Sequence, residues 1–376
     1  LATYAVAGAA VGLIGWSGKP LLLPVSLLFP FLFGLAQWRS QATMLSAAYF
    51  LAASSGLPKG ATTFFESDIW TGIALWVIAS TVFVAVHGLF WRRSQPGRAT
   101  GIVIATIIMA VPPAGIVGWA SPLTAAGILF PGTHWFGLAA IVGFIYVLAC
   151  HRRPVISAAV VMLAWGIGLQ VGPPVATPKA WTGIQTQFTY NTGSRDFQRG
   201  FELLRNAGSV IPSAETSIVL LPEGAAGWRT PTSERSWKNL AAQTDKIIYS
   251  GAEQRHEYGY DNVLVRVSGD DFQVVYRQRM PVPVSMWKPW SEQSTQAYLF
   301  LQPVVELDGT PSAVLICYEQ LLIWPILHSR AAGADQIVGI ANDWWARDTN
   351  IPDIQRATMI AWARLFNMPV IESFNT

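Results

Sequence analysis

The feature that most constrains this chain is a break in charge near residue 172. Before it, apolar runs at about 2–16, 20–36, 42–57, 70–91, 101–119, 136–150 and 154–172 are separated by short polar stretches. After it, polarity is ordinary. Charged residues make up 12% of the 376 residues, against roughly 25% in a soluble globular protein, and the deficit lies in the first half. The shift predicts a membrane half and a water-facing half. Several runs are shorter than the ~20 residues that span a bilayer. Gly8, Gly12, Gly15, Pro24, Pro30, Pro112 and Pro113 suit helices that pack on one another. Gly8 and Gly12 form a Gly-xxx-Gly pair, a sign of close packing in a many-helix bundle. The expectation is a polytopic α-helical membrane bundle over 1–172, a linker over 173–180 and an α/β domain over 181–376.

Loop charges orient the bundle. Arg92, Arg93 and Arg98 follow the fourth run, and Arg152 and Arg153 follow the sixth. Residues 121–135, between them, contain no Lys or Arg. Positive loops stay in the cytoplasm, so the chain should leave its seventh helix on the outer side. That predicts a multi-pass protein of the bacterial inner membrane with a periplasmic C-terminal domain. A net charge of +3 without a basic tract argues against a nucleic-acid partner. Two cysteines, Cys150 and Cys317, lie in different halves and exclude a disulfide framework. The chain begins at Leu1 and stops at Thr376 just after an apolar run, so both ends are expected to be trimmed, and no signal peptide is read.

The prolines at 173, 174 and 178 end the last helix and stiffen the linker. Beyond it, strands are predicted at 181–189, 217–222, 247–252, 262–268, 271–279, 298–306, 311–317, 336–342 and 369–374. Helices are predicted at 196–208, 233–245, 319–333 and 351–367. The last carries Ile351, Ile354, Ala357, Ala361 and Leu365 at helical spacing. Short all-apolar runs suit strands covered on both faces, and the alternation predicts stacked α/β layers.

Two of these runs end on reactive groups. One reads Ser217-Ile218-Val219-Leu220-Leu221-Pro222-Glu223, the other Ala313-Val314-Leu315-Ile316-Cys317-Tyr318-Glu319. A thiol and a carboxylate presented together point to acyl transfer, because the carboxylate can take the thiol proton and a thiolate attacks carbonyls well. The bland readings stand beside this one. A lone cysteine is more often a small buried apolar side chain. Glu319 also reads as a helix-start carboxylate, favourable by ~0.3–1 kcal/mol. His87, His134, His151, His256 and His328 show no metal-ligand spacing. Ser285-Met286-Trp287-Lys288-Pro289-Trp290 reads as a packed turn or as a lid dipping into the lipid interface, where Trp is enriched. Trp344 and Trp345 read as pocket wall.

In series, Leu221-Pro222-Glu223, Leu315-Ile316-Cys317-Tyr318-Glu319, Ala341-Asn342-Asp343-Trp344-Trp345, Ala363-Arg364 and Asn375-Thr376 resemble the carbon–nitrogen hydrolase (nitrilase) superfamily. The two-part layout resembles its membrane branch, the apolipoprotein N-acyltransferases. The Trp-rich character and Phe130-Pro131-Gly132 are most similar to a divergent conjugal-transfer member of that branch. The resemblance implies a nitrilase-like four-layer αββα sandwich, with a further helix often present beyond the stretch seen here. It implies a Glu–Lys–Cys triad with Glu223 as base, Cys317 as nucleophile and Glu319 as a supporting acid, and neither cofactor nor metal. It implies a phospholipid bilayer supplying an acyl donor, an exported protein as amine acceptor, and conjugation machinery as partner. General acid–base help is worth about 10²–10⁴-fold. The lysine neutralises the oxyanion, and losing one such donor costs roughly 10²–10³-fold.

The third member departs from the pattern. In Tyr276-Arg277-Gln278-Arg279-Met280-Pro281-Val282-Pro283, Gln278 occupies the lysine position, and Met286 stands near the place of an expected acid. Four readings stay open. Lys288 can enter from the loop on its long stem. Arg277 or Arg279, expected by strand alternation to point together and away from Gln278, can supply charge. Gln278 can donate a neutral hydrogen bond. Or the site is inactive. The functions expected are a membrane-bound acyltransferase working through a Cys317 thioester, a non-catalytic assembly factor for conjugation, or an amidase.

Overall fold

The computed structural model describes residues 1–150, 154–171, 175–188, 196–291 and 294–376. Arg152 and Arg153, and the linker's first residues, lie outside the described residues. The apolar runs of the first half form helices: α1 (Ala2–Gly15), a 3₁₀ segment Pro20–Leu27 leading into α2 (Leu28–Leu35), α3 (Arg39–Ala53), α4 (Leu57–Phe64), α5 (Ile69–Phe90), α6 (Gln95–Ile108), α7 (Ala126–Leu129), α8 (His134–Cys150) and α9 (Pro154–Val171). Asp68 caps α5 by accepting the Thr71 N–H at 3.0 Å, which satisfies one of the orphan donors of a helix start. A Cβ on Gly8 or Gly12 would lie 2.6 Å from the Leu45 carbonyl oxygen or 2.4 Å from that of Tyr49. The glycine pair is therefore what lets α1 and α3 approach backbone to backbone. The run at 101–119 is not one helix. α6 ends at Ile108, and Pro112 and Pro113 lead into short 3₁₀ turns, because proline cannot continue a helix.

Among the described residues, α5 is the one helix long and apolar enough to cross a membrane; α1, Pro20–Leu35, α8 and Ala159–Gln170 are apolar but shorter. Length and composition therefore support one span, and the seven-helix bundle read from the apolar runs is not established by them.

The α/β elements are β1 (Trp181–Gly183), α10 (Asp196–Val210), β2 (Ile218–Leu220), α11 (Pro231–Thr244), β3 (Ile247–His256), β4 (Gly259–Val267), β5 (Phe272–Arg277), β6 (Ser294–Thr295), β7 (Val305–Leu307), β8 (Thr310–Ile316), α12 (Ile323–Ala331), β9 (Gln336–Asn342), α13 (Ile351–Phe366) and β10 (Val370–Asn375). The chain forms two compact units. One comprises 1–175, 321–324 and 346–368, the other 176–320, 325–345 and 369–376. Helix α13, assigned from sequence to the α/β domain, packs within the helical unit. A Cβ on Gly127 of α7 would lie 1.7 Å from the Ala361 carbonyl oxygen, and Arg364 donates to the Gly168 carbonyl at 3.1 Å.

The second unit holds two sheets. The six-stranded one runs β1-β2-β3-β4-β5 with β6 beside β4; the four-stranded one runs β10-β9-β8-β7. Strands β1, β2 and β3 are parallel, as are β8, β9 and β10; β4, β5 and β7 pair antiparallel. Leu203 and Ala207 of α10 and Trp237 and Ala241 of α11 join Val219, Ile248, Val263, Val265 and Val267 in one core. Side chains alternate across a strand, so Asn262 and Leu264 face the other way. The sheets adjoin at β1 and β10, where Thr186 bridges Asn375. A Cβ on Gly183 would lie 1.8 Å from the Glu372 carbonyl oxygen, so a residue with no side chain is required at that approach.

Two sequence expectations need correction. The run at 298–306 is mostly loop, with strand only over Val305–Leu307. The β4–β5 register jumps between Val265↔Val274 and Leu264↔Tyr276. The extra residue, Val275, is a bulge that switches the facing of the residues after it. Tyr276 and Gln278 thereby come to the Asn262 face.

Candidate active site

Glu223 follows β2 and Cys317 follows β8, so each sits at a C-terminal strand end in a different sheet. The two meet: the Cys317 thiol hydrogen-bonds the Glu223 carboxylate. Cys317 adopts φ 50°, a left-handed conformation uncommon for a residue with a Cβ and concentrated at functional sites. Glu223 Oε2 accepts the Asn342 backbone N–H at 3.0 Å, and Oε1 accepts Asn262 Nδ2 at 2.8 Å. Both partners are neutral. Burial, then the charge of nearby Asp343, pushes the Glu223 carboxyl from 4.5 up to about 8, against the hydrogen bonds from Asn342 and Cys317. The Cys317 thiol is pushed well above its ordinary value by burial and by the charges of Glu223 and Asp343; the Tyr318 N–H opposes this. Near neutrality the pair rests as thiol and largely protonated acid.

Gln278 stands where the resemblance implies a lysine. Its Nε2 donates to the Ile316 carbonyl at 2.9 Å, and its Oε1 accepts Asn262 Nδ2 at 3.1 Å. Asn262 thus joins Glu223 to Gln278, and Gln278 reaches the backbone just before Cys317. Sequence reasoning passed over Asn262. Its one signal was an amide beside the apolar run Val263-Leu264-Val265, and only the hairpin register shows which face it takes.

Glu319 is fully buried and accepts from Tyr276 Oη at 3.0 Å, the Arg279 N–H at 2.6 Å, the Met280 N–H at 3.1 Å and the Ile316 N–H at 2.8 Å. Burial raises its carboxyl, while Arg279 and the backbone donors hold it down. It ties the end of β5 to the end of β8. Arg279 Nε lies 3.9 Å from Glu319 and donates to Tyr276 Oη at 2.9 Å; Nη2 donates to the Pro325 carbonyl and to Ser329.

The two arginines do not point together. β5 ends at Arg277, so strand alternation does not carry through to Arg279. Arg277 instead pairs with Asp261 at 2.6 Å. Lys288 lies in a turn where its carbonyl accepts from the Ser291 N–H at 2.9 Å and from Ser294 Oγ at 3.1 Å. Among the described residues its ammonium contacts neither Glu223 nor Cys317. In the same loop region Trp290 is exposed. Trp344 and Trp345 fall in a short 3₁₀ turn after β9.

Asn375, the last residue of β10, is buried. It accepts from Thr186 Oγ1 at 2.8 Å and donates to Asn342 Oδ1 at 2.9 Å. It therefore holds the residue whose N–H faces Glu223. Among the described residues no group of three or more His, Cys, Asp or Glu side chains is placed to hold a metal. The arrangement brings a thiol against a carboxyl group. At the third position it offers a neutral carboxamide.

Comparison with known proteins gives the family. The carbon–nitrogen hydrolase family profile matches residues 246–364. The chain is 42% identical over 377 residues to a probable conjugal transfer protein TraB of Sinorhizobium fredii, covering 99% of this chain and 97% of that protein. It is 43% identical over 390 residues to the conjugal transfer protein TraB of Agrobacterium fabrum, covering 98% and 91%. Among solved structures, a carbon–nitrogen hydrolase from Helicobacter pylori G27 is similar at 13% identity, covering 52% of this chain and 72% of that one, with a TM-score of 0.39. The chain belongs to the TraB family of conjugal transfer proteins and carries a nitrilase-superfamily carbon–nitrogen hydrolase domain.

Proposed function

We propose that this protein is a membrane-bound acyltransferase of the nitrilase superfamily, related in chemistry to the apolipoprotein N-acyltransferases and serving plasmid conjugal transfer. The observation that carries the reading is the hydrogen bond between the Cys317 thiol and Glu223 at two converging strand ends. Glu223, in its ionised form, takes the thiol proton, and the thiolate attacks an acyl ester carbonyl. The leaving alkoxide recovers the proton from Glu223, and the acyl group remains as a thioester. An amine then attacks the thioester, losing a proton to Glu223, and an amide leaves as the sulfur is reprotonated. Glu319 acts as a positioning residue that holds the nucleophile's turn. A phospholipid is the donor that a membrane setting favours, and an amine on an exported protein is the acceptor.

Residues 1–172 are proposed as the membrane part of a multi-pass inner-membrane protein, and 181–376 as a periplasmic domain. Support comes from α5, which exposes Trp70, Ile78 and Leu89 at 73%, 63% and 63%. A row of large apolar side chains facing outward is expected where lipid, not water, is the neighbour.

A second reading, a conjugation assembly factor that keeps the architecture without turnover, draws on Gln278, whose two hydrogen bonds replace a cation with a neutral bridge. Mating assays separate the two. The enzyme reading expects Cys317→Ala and Glu223→Ala each to abolish plasmid transfer with the protein still present in membranes. Full transfer by both variants overturns it in favour of the assembly factor.

A further inference from the structure

Resting on the thiol chemistry proposed above, we infer that the positive charge missing at Gln278 is supplied by the substrate: a primary ammonium group, bound between the Glu223 carboxylate and Gln278 Oε1, completes the site before the thiol is activated. The groups around Glu223 lead there. It is held by Asn262, Asn342 and Cys317, with Asp343 and Glu253 as the charges nearby. None of these is a cation. The cationic side chains of the same β5 end are committed elsewhere, Arg279 to Glu319 and Arg277 to Asp261. Gln278 Nε2 is spent on the Ile316 carbonyl, whereas among the described residues Oε1 accepts one bond, from Asn262. A carbonyl oxygen has two lone pairs, so Oε1 can accept a second donor.

Access is on the right side. Glu223 and Cys317 keep 8% and 4% exposure, while Gln278 and Glu319 keep 1% and 0%. The side of the cluster nearest to solvent is therefore that of the acid and thiol. An ammonium there offers three N–H donors and offsets the acidic surroundings that hold both site groups protonated.

The consequence is an order of events. The ammonium binds first and displaces the resting proton of Glu223 to water, and its charge then favours proton transfer from Cys317 to the ionised carboxylate. The thioester then forms, with the alkoxide taking the proton from Glu223. Ionised Glu223 removes one proton from the ammonium, and the freed amine attacks the thioester. The remaining excess N–H proton passes to the departing sulfur, and the proton on Glu223 is released to water. The acceptor's charge thus assists acylation as well as ending it.

The test is alkylation of Cys317 by iodoacetamide in the full-length protein in lipid nanodiscs, on a Cys150→Ser background, read by peptide mass spectrometry at neutral pH. Ethylammonium chloride is the probe, and sodium chloride at equal ionic strength is the control. The inference expects ethylammonium to speed alkylation saturably by about tenfold, the effect of a tenfold rise in the thiol's acidity constant. Gln278→Lys should react at the raised rate without probe and gain little from it, and Glu223→Gln should lose the response. The wild-type arm stands if Gln278→Lys does not fold. No response to ethylammonium in wild type, with fast alkylation of Gln278→Lys, overturns the substrate's role and leaves the thiol reading intact. No alkylation of Cys317 under any condition overturns both.

Discussion

The Asn342 backbone N–H donates to Glu223 Oε2 at 3.0 Å across 119 positions of sequence. That bond joins the end of β9 in one sheet to Glu223, just beyond β2 of the other. It fixes the carboxylate against the turn that carries Cys317. Asn375 in turn holds the Asn342 side chain at 2.9 Å, so three strand ends set the position of one acid.

Stability should fall as pH rises through the neutral range. Folding raises the Glu223 carboxyl from 4.5 to about 8, so between those values the folded state holds a proton that the unfolded chain has lost. Its contribution is present in full below about 4.5 and declines up to about 8, by an amount on the order of a few kcal/mol. Glu223→Gln should flatten this slope and raise Tm at pH 8. Thermal unfolding at several pH values checks it; an unchanged slope contradicts the placement of Glu223.

Glu319→Ala should be the most damaging single change near the site. It strips three backbone N–H groups and Tyr276 of their acceptor and leaves fully buried Arg279 without its counter-charge. Removing one partner of a buried pair costs about 3–5 kcal/mol. Glu319→Gln keeps acceptor oxygen and should cost less. Denaturant midpoints of the two variants measure the difference; equal midpoints sink the claim that the charge matters.

Glu223 and Cys317 were legible in the sequence because each ends a short apolar run, and a strand end is where a sheet delivers side chains to a site. Glu319 was legible beside Cys317. The Glu223–Asn262–Gln278 bridge was not. Asn262 is defined by the pairing of β3, β4 and β5, and the Val275 bulge inverts the alternation that sequence reading relies on. The same rule misplaced Arg277 and Arg279, since it was carried past the last residue of β5. The helical half was legible as helices from apolarity alone. Its break at Pro112 and Pro113 follows from local proline chemistry, whereas the packing of α13 with α7 depends on contacts distant in sequence.

Gly127→Val should loosen the helical unit. Even a methyl at this position would press on the Ala361 carbonyl, 1.7 Å from an ideal Cβ. Overpacking of this kind costs about 1–3 kcal/mol or more. The expected result is a lower Tm and lower yield from membranes, with Gly143→Val, whose Cβ meets nothing within 4 Å, close to wild type. Equal behaviour of the two contradicts the packing of α7 on α13.

Topology gives an independent check. Alkaline phosphatase fused after Thr376 should be active, since the enzyme folds only in an oxidising compartment, and a fusion after Arg93 should be inactive. The reverse pattern would place the thiol site in the cytoplasm.

The most direct measurement is the mass of the Cys317 peptide from protein purified in its native lipids and quenched rapidly in acid. The account predicts an acyl adduct, labile to hydroxylamine as a thioester is, that is absent from Glu223→Ala. An unmodified Cys317 peptide in every preparation, together with full plasmid transfer by Cys317→Ala, would contradict it.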